Sequence, residues 1–248
     1  MTAGSIRPFL RVTALALGGA GFAILLYLGY VWLSWPDAAA LENENPTRTA
    51  FIEQYELRAS SDAELPQLQW RWVDYSNISI HAKRAVLVAE DIEFFSHAGF
   101  STSEIRAAIR DALDEGGGLR GASTITQQLA KNLWLSPSRN PLRKFKEAIL
   151  TGQLEESLDK HRILEIYLNV VEFGPGIYGI GAAAAHYFGK PAAYLSEHEA
   201  AMLAASLPRP TSWHPGVDDP YYLRYVEDIL GRMERADFLW RRLDPATR

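Results

Sequence analysis

The stretch VAEDIEFFSHAGF, residues 88–100, places two acids, Glu90 and Asp91, directly after an apolar run that begins at Ala85. Aromatic residues follow the acids. Carboxylates are unfavourable in apolar surroundings unless they are paired or take part in chemistry. Two interpretations are therefore open. In the first, the acids lie on the solvated face of an amphipathic helix. In the second, they are functional groups beside a buried apolar segment.

Helix signals are dense beyond Ala82, and strand alternation is absent from that part of the chain. Capping patterns predict helix starts at Ser101 with Glu104, Ser123, Asn140 before Pro141, Asp159, Ser196 with Glu199, and Asp219 before Pro220, the last helix. Glycines 116–118 and the Gly-Pro-Gly at 174–176 predict helix ends. The stretch QLQWRWVDYSNISI, residues 67–80, is compatible with a short strand or an extended arm. These patterns predict about seven or eight helices in a mainly α domain.

Residues 12–33 contain no charged side chain. As a helix they would extend about 33 Å, enough to cross a hydrocarbon core of about 30 Å. A cleaved signal peptide is the alternative, but its apolar region is usually only about 7–15 residues long. Residues 12–35 are therefore predicted to form one retained transmembrane helix.

Arg7 and Arg11 precede this segment, and the residues that follow it are acidic. The positive-inside rule then places residues 1–11 in the cytoplasm and everything after the segment outside the cytoplasmic membrane. The remaining chain divides into an irregular connector at 36–69 and a domain at 70–248, with its core motifs at about 82–210.

The exported part contains 23 basic and 30 acidic residues, a net charge of −7. A nucleic-acid-binding domain normally shows the opposite balance. The chain has no cysteine, which fits an exported protein without disulfides, and its six histidines form no zinc-binding pattern. Nucleic acid and a zinc centre are therefore not expected.

The strip from Gly116 to Lys146 contains no acid, although the domain as a whole is acidic. Its basic residues are Arg120, Lys131, Arg139, Arg143, Lys144 and Lys146. Within the strip, GASTITQQLAKN (121–132) places hydroxyls at a helix start, where free N–H groups favour phosphate. Gln127 and Gln128 lie within one turn of Lys131, so an amide and an ammonium would face one groove. The alternative is an ordinary solvated basic face.

Glu147 directly follows this strip, one turn after Arg143. An i, i+4 salt bridge is the simple interpretation. The functional interpretation places its carboxylate opposite the Glu90–Asp91 pair. Two helices that each supply a carboxylate beside a phosphate groove would suit glycosyl transfer with a phosphate leaving group.

Four blocks now resemble one family in order and approximate spacing: EDIEFFSHAGF, GASTITQQLAKN, RKFKEA and RILEIYLNVVEFGPGIYGIGAAAAHYFGK. The chain resembles the family 51 glycosyltransferases, the peptidoglycan polymerases, over about residues 70–210. No transpeptidase motif follows, so the likeness is to the monofunctional biosynthetic form. The resemblance implies a lysozyme-like helical fold with a small membrane-associated jaw.

The resemblance also implies roles for individual residues. Glu90 matches the catalytic base that deprotonates the N-acetylglucosamine 4-hydroxyl of lipid II. That oxygen displaces undecaprenyl pyrophosphate from the growing strand, forming a β-1,4 bond with inversion. Asp91 matches a supporting acid, and Glu147 the second acid, whose role in orienting cations or a metal stays open. The implied substrate-binding positions are Asp91, Phe94, His97, Ser123, Thr124, Gln128, Lys131, Asn132, Arg139, Arg143 and Lys144.

The resemblance implies no required cofactor and leaves open stimulation by Mg²⁺ or Mn²⁺. Its implied partners are lipid II, the growing strand, the membrane, and other cell-wall synthases or division proteins; its implied location is the inner membrane, with the catalytic domain on the periplasmic side. The chain departs from the family in reading GAST for GGST and FFSH for FYEH, so Ala122, Phe95 and Ser96 inherit no role. Two alternatives remain, a membrane-bound muramidase on the same scaffold and a non-catalytic divisome scaffold. The basic strip and the two acids argue against both.

Overall fold

The computed structural model describes residues 35–102, 123–137 and 141–243, together with six helical positions between 19 and 29. Residues 1–11 and most of the predicted transmembrane segment 12–35 lie outside the described residues. Among those that are described, no helix is both long enough and apolar enough to cross a membrane. The chain divides into two units, Met1–Asp37 and Ala38–Arg248, and the second contains every element discussed below.

The second unit is mainly helical, as predicted. Its described residues form α1 (Ala50–Ser61), α2 (Ile80–Glu90), α3 (Ile125–Trp134), α4 (Pro141–Ser157), α5 (Lys160–Val170), α6 (Ile180–Phe188), α7 (Glu197–Ser206), α8 (Pro220–Arg235) and α9 (Phe238–Leu243). The strands are β1 (Gln69–Trp70), β2 (Glu172–Gly174) and β3 (Ile177–Tyr178). They form one sheet in the order β1-β3-β2, with β1 parallel and β2 antiparallel to β3. Strands of two or three residues are too short to show sequence alternation.

Local capping signals predicted several helix starts correctly. Asp159 accepts a hydrogen bond from Arg162 N–H at the start of α5, and Asp219 caps α8. Ser196 begins α7 with the expected capping box. The helix predicted from Ser101 and the glycine loop at 116–118 extend into residues 103–122, outside the described residues. α8 is not the last helix, because α9 follows it.

The connector at 36–69, predicted to be irregular, contains the 12-residue helix α1. Thr49 caps this helix by accepting a hydrogen bond from Ile52 N–H. Ile52 and Tyr55 are buried in a small cluster with Tyr178, while Leu57 is exposed. The extended segment that follows enters the sheet at β1, which confirms the predicted short strand.

Helix α2 packs against α7 and α8, and every side chain from Ala82 to Val88 is buried. The buried set includes a cation, Arg84, whose Nη2 donates to the carbonyl of Met233 near the end of α8 at 2.7 Å. The guanidinium also lies 4.1 Å from the Trp240 ring. This packing fixes the axis of α2 and the position of its last residue, Glu90.

Helices α4 and α5 pack on α3, and Asn169 joins α5 to the segment after β1. Its fully buried amide accepts from Val73 N–H at 2.7 Å and donates to the carbonyls of Val73 and Glu165 at 2.8 Å. These contacts give Asn169 a structural role, because its side chain ties α5 to the segment after β1.

Asn169→Ala should destabilise the fold by about 1–3 kcal/mol for each backbone group left unpaired. Val73 would lose partners for both its N–H and its carbonyl. Equilibrium urea unfolding measures the change, with Asn77→Ala at an exposed site as the matched control. Equal stability of the two variants would contradict this role.

Candidate active site

Glu90 is the last residue of α2, and its side chain remains partly exposed. Gln128 on α3 donates from Nε2 to Glu90 Oε2 at 2.6 Å. The hydroxyl of Tyr167 on α5 donates to Gln128 Oε1 at 2.9 Å. Tyr167 thereby sets the orientation of the amide, with its oxygen toward the hydroxyl and its NH₂ toward the carboxylate. Three helices together define where the Glu90 carboxylate lies.

Burial raises the pKa of Glu90, and the neighbouring Asp91 raises it further. The hydrogen bond from Gln128 and the charges of Lys131 and Arg232 lower it in part. The helix C-terminus also disfavours a negative charge at this position. A carboxylate with raised proton affinity that is still reachable is suited to general-base chemistry.

Asp91 differs from its neighbour because its side chain is only 2% exposed. Both its oxygens lie 3.0–3.1 Å from Nε2 of His97, and Oδ2 also accepts from Ile125 N–H at 3.0 Å. Its carboxylate therefore holds the N-terminus of α3 beside Glu90. This is the supporting role that the resemblance implied, and contact of Asp91 with a substrate stays a prediction.

His97 and Phe94 were expected to shape the site. Nδ1 of His97 accepts from Gly99 N–H at 3.1 Å, which leaves its proton on Nε2, facing Asp91. Phe94 is fully buried beneath the ammonium of Lys160, which lies 4.5 Å from the ring centre. Phe94 is thus a core residue that can act on the site only through the residues packed on it.

The N-terminus of α3 was expected to bind phosphate, and two of its first N–H groups already have partners within the protein. Ile125 N–H donates to Asp91, and Gln127 N–H donates to the hydroxyl of Thr124 at 3.2 Å. Thr124, not Ser123, is the N-cap. Its hydroxyl donates to the carbonyl of Gly99, and Gln127 completes a capping box. Gln127 therefore caps the helix and does not line a groove. Asp91 is an anion already present at this helix start, and phosphate binding here stays a prediction.

Lys131, one turn along α3 from Gln128, lies between two carboxylates. Its pKa is lowered, chiefly by burial, while Glu147 and Glu90 favour its charged form. Glu147 is only 2% exposed and accepts hydrogen bonds from Arg143 Nη1 at 2.8 Å and from Lys144 Nζ. The simple salt-bridge interpretation of Glu147 is thus confirmed. Glu147 is nevertheless coupled to Glu90 electrostatically, because both carboxylates favour the charged form of Lys131.

Two further predicted residues, Ser123 and Asn132, lie beside this centre. Ser123 offers its carbonyl to Gln128 at 3.4 Å, and Asn132 donates to the Gln128 carbonyl at 2.8 Å. Contact of Asn132 or Ser123 with a substrate stays a prediction. Arg139 lies outside the described residues. In the part of the chain that is described, the buried Nε of Arg143 has no hydrogen-bond partner.

Three residues near Glu90 were missed in the sequence. Tyr167 orients Gln128, and its own pKa is raised by burial and by the nearby carboxylates. Arg232 and Tyr225 both lie on α8. Arg232 donates to the carbonyl of Val88, and the Tyr225 hydroxyl lies 3.5 Å from the carbonyl oxygen of Ala89. Tyr167 lies 77 positions after Glu90 in the sequence, and the contacts of Tyr225 and Arg232 span 136 and 144 residues. No local pattern could therefore reveal them.

Gln128→Leu should shift the acid limb of the pH–rate profile to higher pH. The Gln128 hydrogen bond lowers the pKa of Glu90, so its loss leaves the base protonated over a wider range. The measurement is kcat/KM against pH for the wild type and the variant. Tyr167→Phe, which frees the amide to turn, should shift the limb in the same direction but less. An unchanged limb in both variants would contradict the assignment of Glu90 as the titrating base.

Comparison with known proteins adds a family to this geometry. The family model described as Transglycosylase matches residues 60–234. The chain is 44% identical over 215 residues to the biosynthetic peptidoglycan transglycosylase of Laribacter hongkongensis (strain HLHK9), covering 86% of this chain and 94% of that protein. It is 44% identical over 221 residues to the protein of that name from Azoarcus sp. (strain BH72), covering 88% and 93%. A third, from Alcanivorax borkumensis, is 44% identical over 242 residues, covering 97% and 91%.

Proposed function

The chain belongs to the transglycosylase family, and from this premise we propose how it polymerises the glycan strands of peptidoglycan. The acceptor is lipid II, and the donor is a growing strand linked to undecaprenyl pyrophosphate. The enzyme joins them through a β-1,4 bond. The described residues supply a base, cations for the leaving group and the contacts that hold both in place.

In the proposed step, Glu90 removes the proton from the 4-hydroxyl of the lipid II N-acetylglucosamine. The resulting nucleophilic oxygen attacks C1 of the donor muramyl unit from the side opposite the pyrophosphate. The C1–oxygen bond to pyrophosphate breaks as the new glycosidic bond forms, so the configuration at C1 inverts. The proton stays on Glu90, and undecaprenyl pyrophosphate leaves with the electron pair.

The observation that carries this proposal is the Tyr167–Gln128–Glu90 hydrogen-bond chain. It holds a carboxylate of raised pKa in one orientation, with the carboxylate still partly exposed. General bases work best when their pKa lies near the working pH and their position is fixed. A solvated surface acid would need no such support.

The cations near Glu147 provide for the leaving group. Lys131 forms no ion pair with any described residue, and Arg143 keeps its buried Nε without a partner among them. Both can therefore still donate to a phosphate oxygen. The buried carboxylate of Glu147 accepts hydrogen bonds from Arg143 and Lys144. We therefore assign it the role of orienting these two cations, not that of a nucleophile. No step requires a metal, and stimulation by Mg²⁺ or Mn²⁺ stays a prediction.

For the membrane, we propose that residues 12–35 form the single span and hold the domain on the periplasmic side. The support is the uncharged run at 12–33, with Arg7 and Arg11 before it and acids after it. Both substrates carry lipid tails that stay in the bilayer. A tethered enzyme therefore meets them at a high effective concentration. Other cell-wall synthases or division proteins are proposed partners on the same membrane.

Glu90→Gln should lower lipid II polymerisation by roughly 10²–10⁴-fold, the usual contribution of a positioned base. The amide keeps the shape of the side chain but cannot take a proton. The assay follows labelled lipid II into polymer and then digests the product with a muramidase. Near wild-type turnover by the variant would remove Glu90 as the base. Cleavage of finished glycan by the wild-type enzyme, without synthesis, would identify a muramidase, and neither activity would identify a scaffold.

The stability of Glu90→Gln provides the control. Because burial raises the folded-state pKa of Glu90, the folded protein binds this proton more tightly than the unfolded chain does. Ionised Glu90 therefore opposes folding as the pH rises above its unfolded pKa of about 4.3. The variant should unfold at an equal or higher urea concentration at neutral pH, and the difference should vanish in acid. A less stable variant at neutral pH would attribute the lost activity to misfolding.

Removal of residues 1–36 should leave an enzyme that polymerises lipid II in detergent but works poorly on vesicles. The described active-site residues all lie beyond residue 36, so their chemistry does not need the segment. The comparison is the initial rate in detergent against that on liposomes, for both forms of the enzyme. Equal rates on liposomes would contradict the proposed anchor.

A further inference from the structure

Phe51 lies on α1, the helix that was expected to be an irregular connector. The ring packs against the cluster of Ile52, Tyr55 and Tyr178, and α1 as a whole packs against α3. The family match begins at residue 60, so Phe51 precedes it. The ring therefore comes from a part of the chain that the family model does not match.

The ammonium of Lys131 lies 5.7 Å from the centre of the Phe51 ring. A cation within about 6 Å of an aromatic centre is attracted by the ring quadrupole. This attraction differs from an ion pair in one way that matters here, because a ring face accepts no strong hydrogen bond from the ammonium. The N–H groups of Lys131 are left for another acceptor.

We propose that Phe51 is a positioning residue for glycosyl transfer, which holds the Lys131 ammonium between Glu90 and Glu147 with its N–H groups directed to the anionic donor. The proposal rests on the role of Lys131 in the proposed function. A carboxylate in direct contact with Lys131 would hold it too, but would neutralise its charge and occupy its donors. An aromatic ring fixes the ammonium, does not neutralise its charge and leaves its N–H donors available.

The proposal makes α1 part of the active site. The segment that joins the predicted membrane span to the family core would then supply one wall of the donor position. Thr49 and the buried pair Ile52 and Tyr55 fix α1, so the ring position follows from helix packing rather than from a mobile side chain.

The test compares Phe51→Leu with Phe51→Tyr in lipid II polymerisation by the full chain. Leucine keeps an apolar side chain but has no π face, whereas tyrosine keeps the face. Phe51→Leu should lower kcat/KM between about twofold and about thirtyfold, the range that a cation–π contact supports. Phe51→Tyr should restore most of the rate. Leu57→Ala, on the exposed side of the same helix, is the matched control and should be unchanged.

Combination with Lys131→Met distinguishes positioning from general support of the fold. If Phe51 acts through Lys131, Phe51→Leu should cause no further loss in a Lys131→Met background. An equal loss in both backgrounds, or an equal loss in Phe51→Tyr and Phe51→Leu, would overturn the proposal. A fully active Lys131→Met enzyme would instead remove Lys131 from the proposed function, whatever the Phe51 variants do.

A second measurement needs no catalysis. The rate at which acetic anhydride modifies Lys131, followed by mass spectrometry, should rise in Phe51→Leu, because the loss of the ring destabilises the ammonium form and uncovers the amine. It should stay near the wild-type rate in Phe51→Tyr. Equal modification rates in the wild type and Phe51→Leu would show that the ring does not hold the ammonium, and would overturn the proposal.

Discussion

The structure depends on one electrostatic constraint: a carboxylate, Glu90, ends a helix whose side chains from Ala82 to Val88 are buried. Removal from water and the negative pole of the helix both oppose its charge. Two groups on α3 act in the opposite direction and lower the pKa of Glu90: the Gln128 amide, which donates a hydrogen bond, and the cation of Lys131. The result is a carboxyl group whose pKa is raised above its ordinary value. Helices α3 and α5 supply the hydrogen-bond chain that holds this carboxyl group in place.

Two adjacent acids illustrate how position alone divides the roles. Asp91 is turned into the protein, where His97 and the backbone of Ile125 satisfy its oxygens. Glu90, one residue earlier, keeps partial contact with solvent and has a side-chain amide as its partner. Asp91 therefore anchors the helix that carries Gln128 and Lys131. Asp91 thus holds in place the two residues, Gln128 and Lys131, that lower the pKa of Glu90.

Features encoded by neighbouring residues could be predicted from the sequence, and features that join distant segments could not. Asp159 and Ser196 were recognised as caps because a cap and its N–H group lie within one turn. The carboxylate at the N-terminus of α3 was not foreseen because Asp91 comes from 34 residues away. Tyr167 was missed for the same reason, and α1 because its buried and exposed positions form only a weak pattern. Glu90 was proposed as the base from the acid pair and the family motifs, and that role stays a prediction. The hydrogen bonds that orient its carboxylate could be seen only in the fold.

The most direct test of the central claim is titration of Glu90 itself. Difference ¹³C-carboxyl NMR between the wild type and Glu90→Gln, both labelled at glutamate, isolates its resonance as a function of pH. The account predicts a pKa clearly above the ordinary glutamate value of about 4.3. A pKa at or below that value would show that burial does not tune this carboxylate. Glu90 would then be an ordinary solvated acid, and the base would have to be sought elsewhere.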